Sequence, residues 1–307
     1  MSIRCTMLPR ISIVTPAFQH YHFLKACVAS IEMQGYPHVE HLVLDGGSTD
    51  GTAEYLAKYP GCVTWWRSHR DGGQTQALNE GFARAAGEWI GWQNSDDFYY
   101  PGAFWRVAQI AAQYPEVQVI VGETAVVDEC GLKKPLVETP AASPQWCRWK
   151  DALRDLLSIT GSVAPMPPML WLRGYWPHNQ ALFIRRDLLQ QVIPLDESLH
   201  LLMDLEFFAK IALLQPRIAY VSQQLGAFRR YEGIKTDSAA LVERKLRERA
   251  ILQERFQQPM WHDEGLAYQW FRLRHYWYAF RYWGIMTLAR RLANSAERRD
   301  SLPVIYI

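Results

Sequence analysis

Two residue periods alternate through the first 114 residues, and that alternation leaves few folds open. ISIVTP (11–16) is a short apolar run rich in β-branched residues, which predicts a buried strand. FLKACVASIEMQ (23–34) then sets Leu24, Cys27, Val28 and Ile31 at helical spacing. VEHLVLDGG (39–47) predicts a second strand ending in a glycine turn, and STDGTAEYLAKY starts with N-cap residue types before a helical stretch. VTWWRS (63–68) predicts a third strand. QTQALNEGFARAAG (74–87) predicts a helix stopped by Gly87, EWIGWQ (88–93) a fourth strand, and PGAFWRVAQIAAQY (101–114) a helix with proline at its start. Repeated strand–helix alternation predicts an α/β fold with a parallel sheet flanked by helices.

In an open α/β sheet, ligands bind beyond the carboxyl ends of the strands. Thr15-Pro16-Ala17 ends the first strand here, and Asp45-Gly46-Gly47 ends the second. Asp71, Gly72 and Gly73 follow the third strand, and Asn94-Ser95-Asp96-Asp97 the fourth. Four polar clusters at one edge argue for a single site. The side-by-side pair Asp96-Asp97 has three uses at this point: a hard-cation site, an acid/base pair, or a cap on the helix that follows. Crowding with Asp45, Asp50 and Asp71 speaks against a simple cap, because such carboxylates need a cation or hydrogen-bond donors to stay ionised. Neither glycine run spells GxGxxG or GxxxxGK[ST], so dinucleotide-fingerprint and Walker-type sites are excluded.

Charge excludes one class of partner. The 307 residues carry 33 basic and 31 acidic side chains for a net charge of +2, so nothing marks the chain as a nucleic-acid binder. The five cysteines show no CxxC pairing, the first residues lack an apolar leader, and no apolar run is long enough to span a bilayer. These features predict a cytoplasmic protein. Residues 131–177, rich in Pro and Trp, predict long loops of the kind that form lids. HNQALFIRR (178–186) predicts a strand, MDLEFFAKIALL (203–214) a helix, and 237–257 and 263–292 further helices.

Taken together, ISIVTPAF, EHLVLDGGSTDGT and RDGGQTQALNEGFARAAGEWIGWQNSDD resemble a family 2 glycosyltransferase of the GT-A fold. The resemblance is close over 10–128 and looser through HNQALFIRR, MDLEFF and GAFRRYEGIKT (226–236). It implies a GT-A-type nucleotide-sugar-binding fold with a mostly parallel central sheet and a helical C-terminal extension. The catalytic domain would be 1–235, with a nucleotide-binding half (10–128) and an acceptor-binding half (129–235), and the extension 236–307. Carried over by position, Thr15, Pro16, Ala17 and Asp45 would hold the base, and Asp71, Gly72 and Gly73 would lie near ribose and diphosphate. Asn94 and Asp96 would fall in the family's DxD motif, with Mg²⁺ or Mn²⁺ on Asp96 and Asp97. Asp204 would be the base of an inverting transfer. His178 and Glu206 are acceptor-side candidates, although Glu206, two residues on, points away from Asp204 on a helix.

This sequence departs from the family pattern at Asn94, which is neutral and leaves the metal charge to Asp96 and Asp97, and at Tyr231, where relatives often have histidine. The resemblance implies a nucleotide-sugar donor, a UDP-sugar above others, and a glycan or lipid-linked acceptor. A sugar-nucleotide pyrophosphorylase lacks support because its glycine- and basic-rich first loop is missing. A nucleotide- or sugar-binding relative that has lost catalysis is the alternative. One or two of Trp146, Trp149, Trp171 and Trp176 are expected at the acceptor cleft, since indole faces stack on sugars. The stretch 268–293 is aromatic and basic, which suits packing against the catalytic part, a homo-oligomer contact, or peripheral contact with an anionic membrane.

Overall fold

Strands with no polar alternation must bury both faces, and β1 (Ile11–Ala17) does so at every residue. The computed structural model describes residues 8–59, 61–132, 164–166, 171, 176–235 and 239–256. These fall in one compact unit made of 1–138 and 163–260. Residues 139–162 and 261–307 make a second unit that lies outside the described residues, and with it Trp146, Trp149 and the stretch 268–293.

After β1 come α1 (Tyr21–Glu32), β2 (Val39–Asp45), α2 (Thr52–Lys58), β3 (Val63–Ser68), α3 (Gln74–Arg84) and β4 (Trp89–Trp92). The strand–helix alternation read from the sequence is present, with ends moved by one to three residues. β3-β2-β1-β4 run parallel, as the crossover helices require. The short β5 (Phe98–Tyr99) and α4 (Ala103–Gln113) follow, then β6 (Val119–Val127) and β7 (Ala164–Met166). The sheet continues from β4 through β8 (Leu182–Arg185), β6 and β9 (Ile218–Arg229) to β5. Here β8 is antiparallel to both neighbours, and β9 is parallel to β6 but antiparallel to β5 and β7. The parallel character therefore belongs to the first half and the β6–β9 pair.

Three local details differ from the sequence reading. The fourth helix starts at Ala103, two residues late, because Gly102 takes a left-handed conformation (φ 81°) and Pro101 stays in the preceding turn. The third helix ends at Arg84 rather than at Gly87. Gly87 instead lies against β1, donating its N–H to Ser12 Oγ at 2.7 Å. The 178–186 segment opens with a 3-10 turn (Asn179–Ala181) before β8.

Packing of α3 on the sheet depends on one missing side chain. A Cβ built on Gly81 would sit 2.3 Å from Val14 Cγ1 and 2.8 Å from Leu44 Cδ1, so the helix touches β1 and β2 at van der Waals distance only as glycine. Gly81→Ala should cost about 1–3 kcal/mol despite alanine's better helix propensity, because the core must move to admit the methyl. A urea titration of the two proteins measures this.

The helices that follow β8 are α5 (Arg186–Val192), α6 (Met203–Leu213) and α7 (Val242–Phe256). α7 lies in the same compact unit as the sheet, although the sequence reading assigned 236–307 to an extension. It is tied to α6 by Arg255, whose Nη1 donates to Glu206 Oε1 at 2.7 Å and whose Nη2 pairs with Asp196. Among the described residues no helix is long and apolar enough to cross a membrane.

Candidate active site

The carboxyl ends of β1 to β4 bring the acids to one edge, as the parallel topology demands. Asp45 ends β2 and is fully buried. Its Oδ2 accepts from Ser48 N at 3.0 Å and Ser68 Oγ at 2.6 Å, and Ser48 Oγ donates to Oδ1. The turn that makes this possible needs glycine at position 47, which has φ 83° and lies against the Arg70 backbone, 2.9 Å from its nitrogen to a built Cβ. Asp71 is held by Arg67 Nη1 at 2.8 Å and accepts from Gly73 N at 2.9 Å. Its Oδ1 is 3.3 Å from a Cβ built on Gly46, so the second and third loops meet through that glycine. Gly72 N donates to Gln76 Oε1 at 2.6 Å.

Arg67 was missed by sequence reasoning, though a charge inside the apolar run VTWWRS was the available signal. It is buried, and it binds Asp45 O, Asp71 and Glu80 at once. Its Nη2 is buried without a hydrogen-bond partner among the described residues. Thr15 does not turn its hydroxyl to the edge. The side chain is buried against His41 Nε2 at 2.9 Å, so only backbone is available from Thr15, Pro16 and Ala17, and Ala17 O already accepts from Gly46 N.

Asp96 and Asp97 have different surroundings. Asp97 is 1% exposed; its Oδ1 accepts from Arg229 N at 2.7 Å and its Oδ2 from Gln180 Nε2 at 2.6 Å and Asn94 Nδ2 at 3.3 Å. Burial, then the neighbouring Asp96 charge, push its carboxyl well above the ordinary range, against the pull of those donors. Both oxygens are spent on the protein, so Asp97 pins the β4 end to β9 and to the 3-10 turn. Of the two acids expected to share a metal, Asp96 is the more open and Asp97 the one bonded into the protein. The pair is not a helix cap either, since the first N–H of α4, at Ala103, is bound by Tyr100 O.

Asp96 is partly open to solvent. Its Oδ2 accepts from Tyr231 Oη at 3.0 Å, and its backbone oxygen accepts from Arg229 Nε at 2.7 Å. Burial, followed by the Asp96 charge, raises the Tyr231 hydroxyl pKa, so it stays a donor. That single proton goes to Asp96, so the 3.3 Å contact with His20 Nε2 is one the ring donates. His20 Nδ1 then accepts from Ser95 Oγ at 3.0 Å. His20 was not foreseen, since a histidine after the first strand carries no local signal.

Asn94 Oδ1 accepts from Trp92 Nε1 at 2.8 Å and Gln74 Nε2 at 3.0 Å. Gln74 Oε1 in turn is 3.5 Å from Lys235 Nζ, and Lys235 also donates to His200 O. This chain of bonds joins the strand edge to the segment that leads into α6. There Asp204, the second residue of the helix, is partly exposed and accepts its own-turn N–H from Leu205 at 2.8 Å. Burial pushes its carboxyl up to about 6, opposed by that hydrogen bond and by the charges of Lys245 and Lys235.

Glu206 is corrected as an acceptor-side group. It is fully buried and bound to Asp196 N at 2.8 Å, Arg255 at 2.7 Å and Lys210 at 3.1 Å, which makes it a strut between helices. His178 is exposed, beside the Phe228 ring at 6.1 Å between centroids. Trp171 is fully buried against Phe208, so it is core. Trp176 is half-buried and stacked on Phe208 (27° between planes), one helical turn from Asp204.

Among the described residues no group of three or more His, Cys, Asp or Glu side chains could hold a metal. The donor set is thus one partly open carboxylate, Asp96. That fits Mg²⁺ or Mn²⁺ of the kind bound by one or two carboxylates plus substrate phosphates and water, and it does not fit an all-protein cage.

Residues 12–165 match the family described as Glycosyl transferase family 2. The chain belongs to glycosyl transferase family 2. A protein from Mycobacterium tuberculosis named an uncharacterized glycosyltransferase is 36% identical over 93 residues, 30% of this chain and 36% of that one. A glycosyltransferase of the same description from a Nostoc species is 24% identical over 223 residues, 69% of this chain and 64% of that one. The O-antigen biosynthesis protein RfbC of Myxococcus xanthus is 29% identical over 164 residues, 51% of this chain and 13% of that one. The matches thus span only part of these relatives' length. Among solved structures, the crystal structure of S. aureus TarS 1–349 in complex with UDP-GlcNAc has a TM-score of 0.58 at 20% identity. It covers 75% of this chain and 61% of that one, and shares the fold.

Proposed function

We propose that this family 2 chain transfers a sugar from a nucleoside-diphosphate sugar to an acceptor hydroxyl with inversion. The observation that carries this reading is the placement of Asp204. Its carboxyl, lifted to about 6, stands at the head of a helix bonded through Lys235 and Gln74 to the edge that gathers Asp45, Asp71 and Asp96. A base with a pKa just below neutrality is ionised at working pH yet still basic enough to take a proton.

In this reading the acceptor oxygen attacks the anomeric carbon as the bond to the diphosphate oxygen breaks, and the acceptor proton passes to an oxygen of Asp204. One displacement inverts the anomeric centre. Asp45, Asp71 and the surrounding backbone seat the nucleoside, and Asp96 faces the diphosphate. A divalent cation bound at Asp96 would supply Lewis-acid neutralisation of the departing diphosphate. Tyr231 orients Asp96 through its hydroxyl, and Asp97 holds the strand end still. Trp176, stacked on Phe208 four residues on from Asp204, is the indole proposed to meet the acceptor sugar.

The UDP-GlcNAc complex of TarS supports a UDP-sugar as donor, and the O-antigen role in RfbC's name supports a surface-glycan acceptor, free or lipid-linked. Incubating the protein with UDP-, GDP-, dTDP- and CDP-sugars and Mn²⁺ should release nucleoside diphosphate from one donor class, with UDP-sugars expected. Release that persists undiminished in Asp204→Asn with acceptor present would overturn the assignment of the base.

A further inference from the structure

α6 begins without a cap of its own. Its N-cap is Leu202, a residue type that cannot accept a hydrogen bond, and the preceding His200 and Leu201 offer no side-chain cap either. The N–H groups ahead of the helix are satisfied from elsewhere. Glu248, in the middle of α7, accepts from His200 N at 3.0 Å through Oε1, and from Leu201 N at 2.8 Å and Leu202 N at 2.9 Å through Oε2. Three consecutive backbone donors converge on one carboxylate.

The composition of α7 sharpens the point. Of its 15 residues only Glu248 and Leu252 are buried, so the helix puts a charged group where an amphipathic helix ordinarily puts an apolar one. Glu248 is 3% exposed. An ionised side chain is kept there only with a full set of donors, which the 200–202 backbone provides. Asp204 comes two residues after the last of these donors. His200 O is bound by Lys235, so the same short segment is gripped from both sides.

We propose that Glu248 is a positioning residue for the transfer reaction, fixing the 200–202 segment so that Asp204 is presented to the acceptor hydroxyl, and that α7 is therefore an element of the acceptor site. This rests on the role given to Asp204 above. The residue lies beyond the 12–165 match. Lys245 of α7 and Lys235 are positive charges that pull the Asp204 carboxyl down. Losing Glu248 loosens the segment and admits water to Asp204, and hydration removes the burial that raises its carboxyl.

The test compares the full chain with Glu248→Gln and Glu248→Ala. Hydrogen exchange in peptides covering 199–206 should speed up roughly tenfold in the alanine variant and less in the glutamine variant, which keeps one acceptor oxygen. The ¹³C titration of the Asp204 carboxyl, assigned by its loss in Asp204→Asn, should move down from about 6. Both readouts are independent of turnover, so they stand even if the transfer reading fails. With an active donor, kcat should fall at least tenfold while UDP affinity in Mn²⁺ stays within about twofold, and the acid limb of the rate profile should move down with the titration. If the alanine variant does not fold, the glutamine variant carries the comparison. Unchanged exchange in 199–206, or altered exchange with an unmoved Asp204 titration, would overturn the proposal.

Discussion

Asp204→Asn is expected to lower transfer by about 10²–10⁴-fold, the usual contribution of a positioned general base, with nucleotide binding unchanged. The rate of the parent should fall on acidification through about pH 6, where Asp204 takes its own proton, and the residual rate of the variant should lack that limb. The stability effect has the opposite direction. Burial raises the folded-state pKa above the unfolded value near 4, so the fold favours the protonated carboxyl. The stability this confers is full below about pH 4 and is lost as pH rises through about 6. Asparagine carries no charge and keeps an oxygen for Leu205 N, so the variant should melt no lower than the parent at pH 8. A variant that is dead but at least as stable identifies a carboxylate kept for chemistry.

The second large effect divides the adjacent acids. Asp97→Ala strips partners from Arg229 N, Gln180 and Asn94 in a buried setting, and should cost on the order of 3 kcal/mol or more in a urea titration. Asp96→Ala removes a partly open carboxylate whose side chain, among the described residues, is bonded to Tyr231, and should unfold within about 1 kcal/mol of the parent. Its loss should appear in function, as a fall in turnover and in metal-dependent nucleotide affinity of about 10-fold or more. The outcome that contradicts the division is the reverse pattern, a destabilised Asp96→Ala beside a stable Asp97→Ala.

Much of the nucleotide half was legible in the sequence because period and position carry it. Strand runs without polar alternation forced a parallel sheet, and parallel strands forced Asp45, Asp71 and Asp96 to one edge. What could not be read was side-chain direction at the strand ends. Thr15 turns inward to His41, and of two adjacent aspartates the second, not the first, is buried; adjacency specifies neither. Glu206 was rightly separated from Asp204 by helical spacing, but its ion pair with Arg255 depends on α7, whose docking no local pattern announces. Glu248 escaped for the same reason, since in VERKLRERAILQERF it looks like one more solvated charge.

The measurement that tests the central claim most directly is calorimetric titration of UDP into the protein with Mn²⁺, with EDTA, and again with Asp96→Ala. The account predicts binding in Mn²⁺ that weakens about 10-fold or more on chelation and to a similar degree in the variant. Binding that is indifferent to both chelation and the substitution would contradict a cation at Asp96, and no binding in any condition would contradict a UDP donor site at the strand edge.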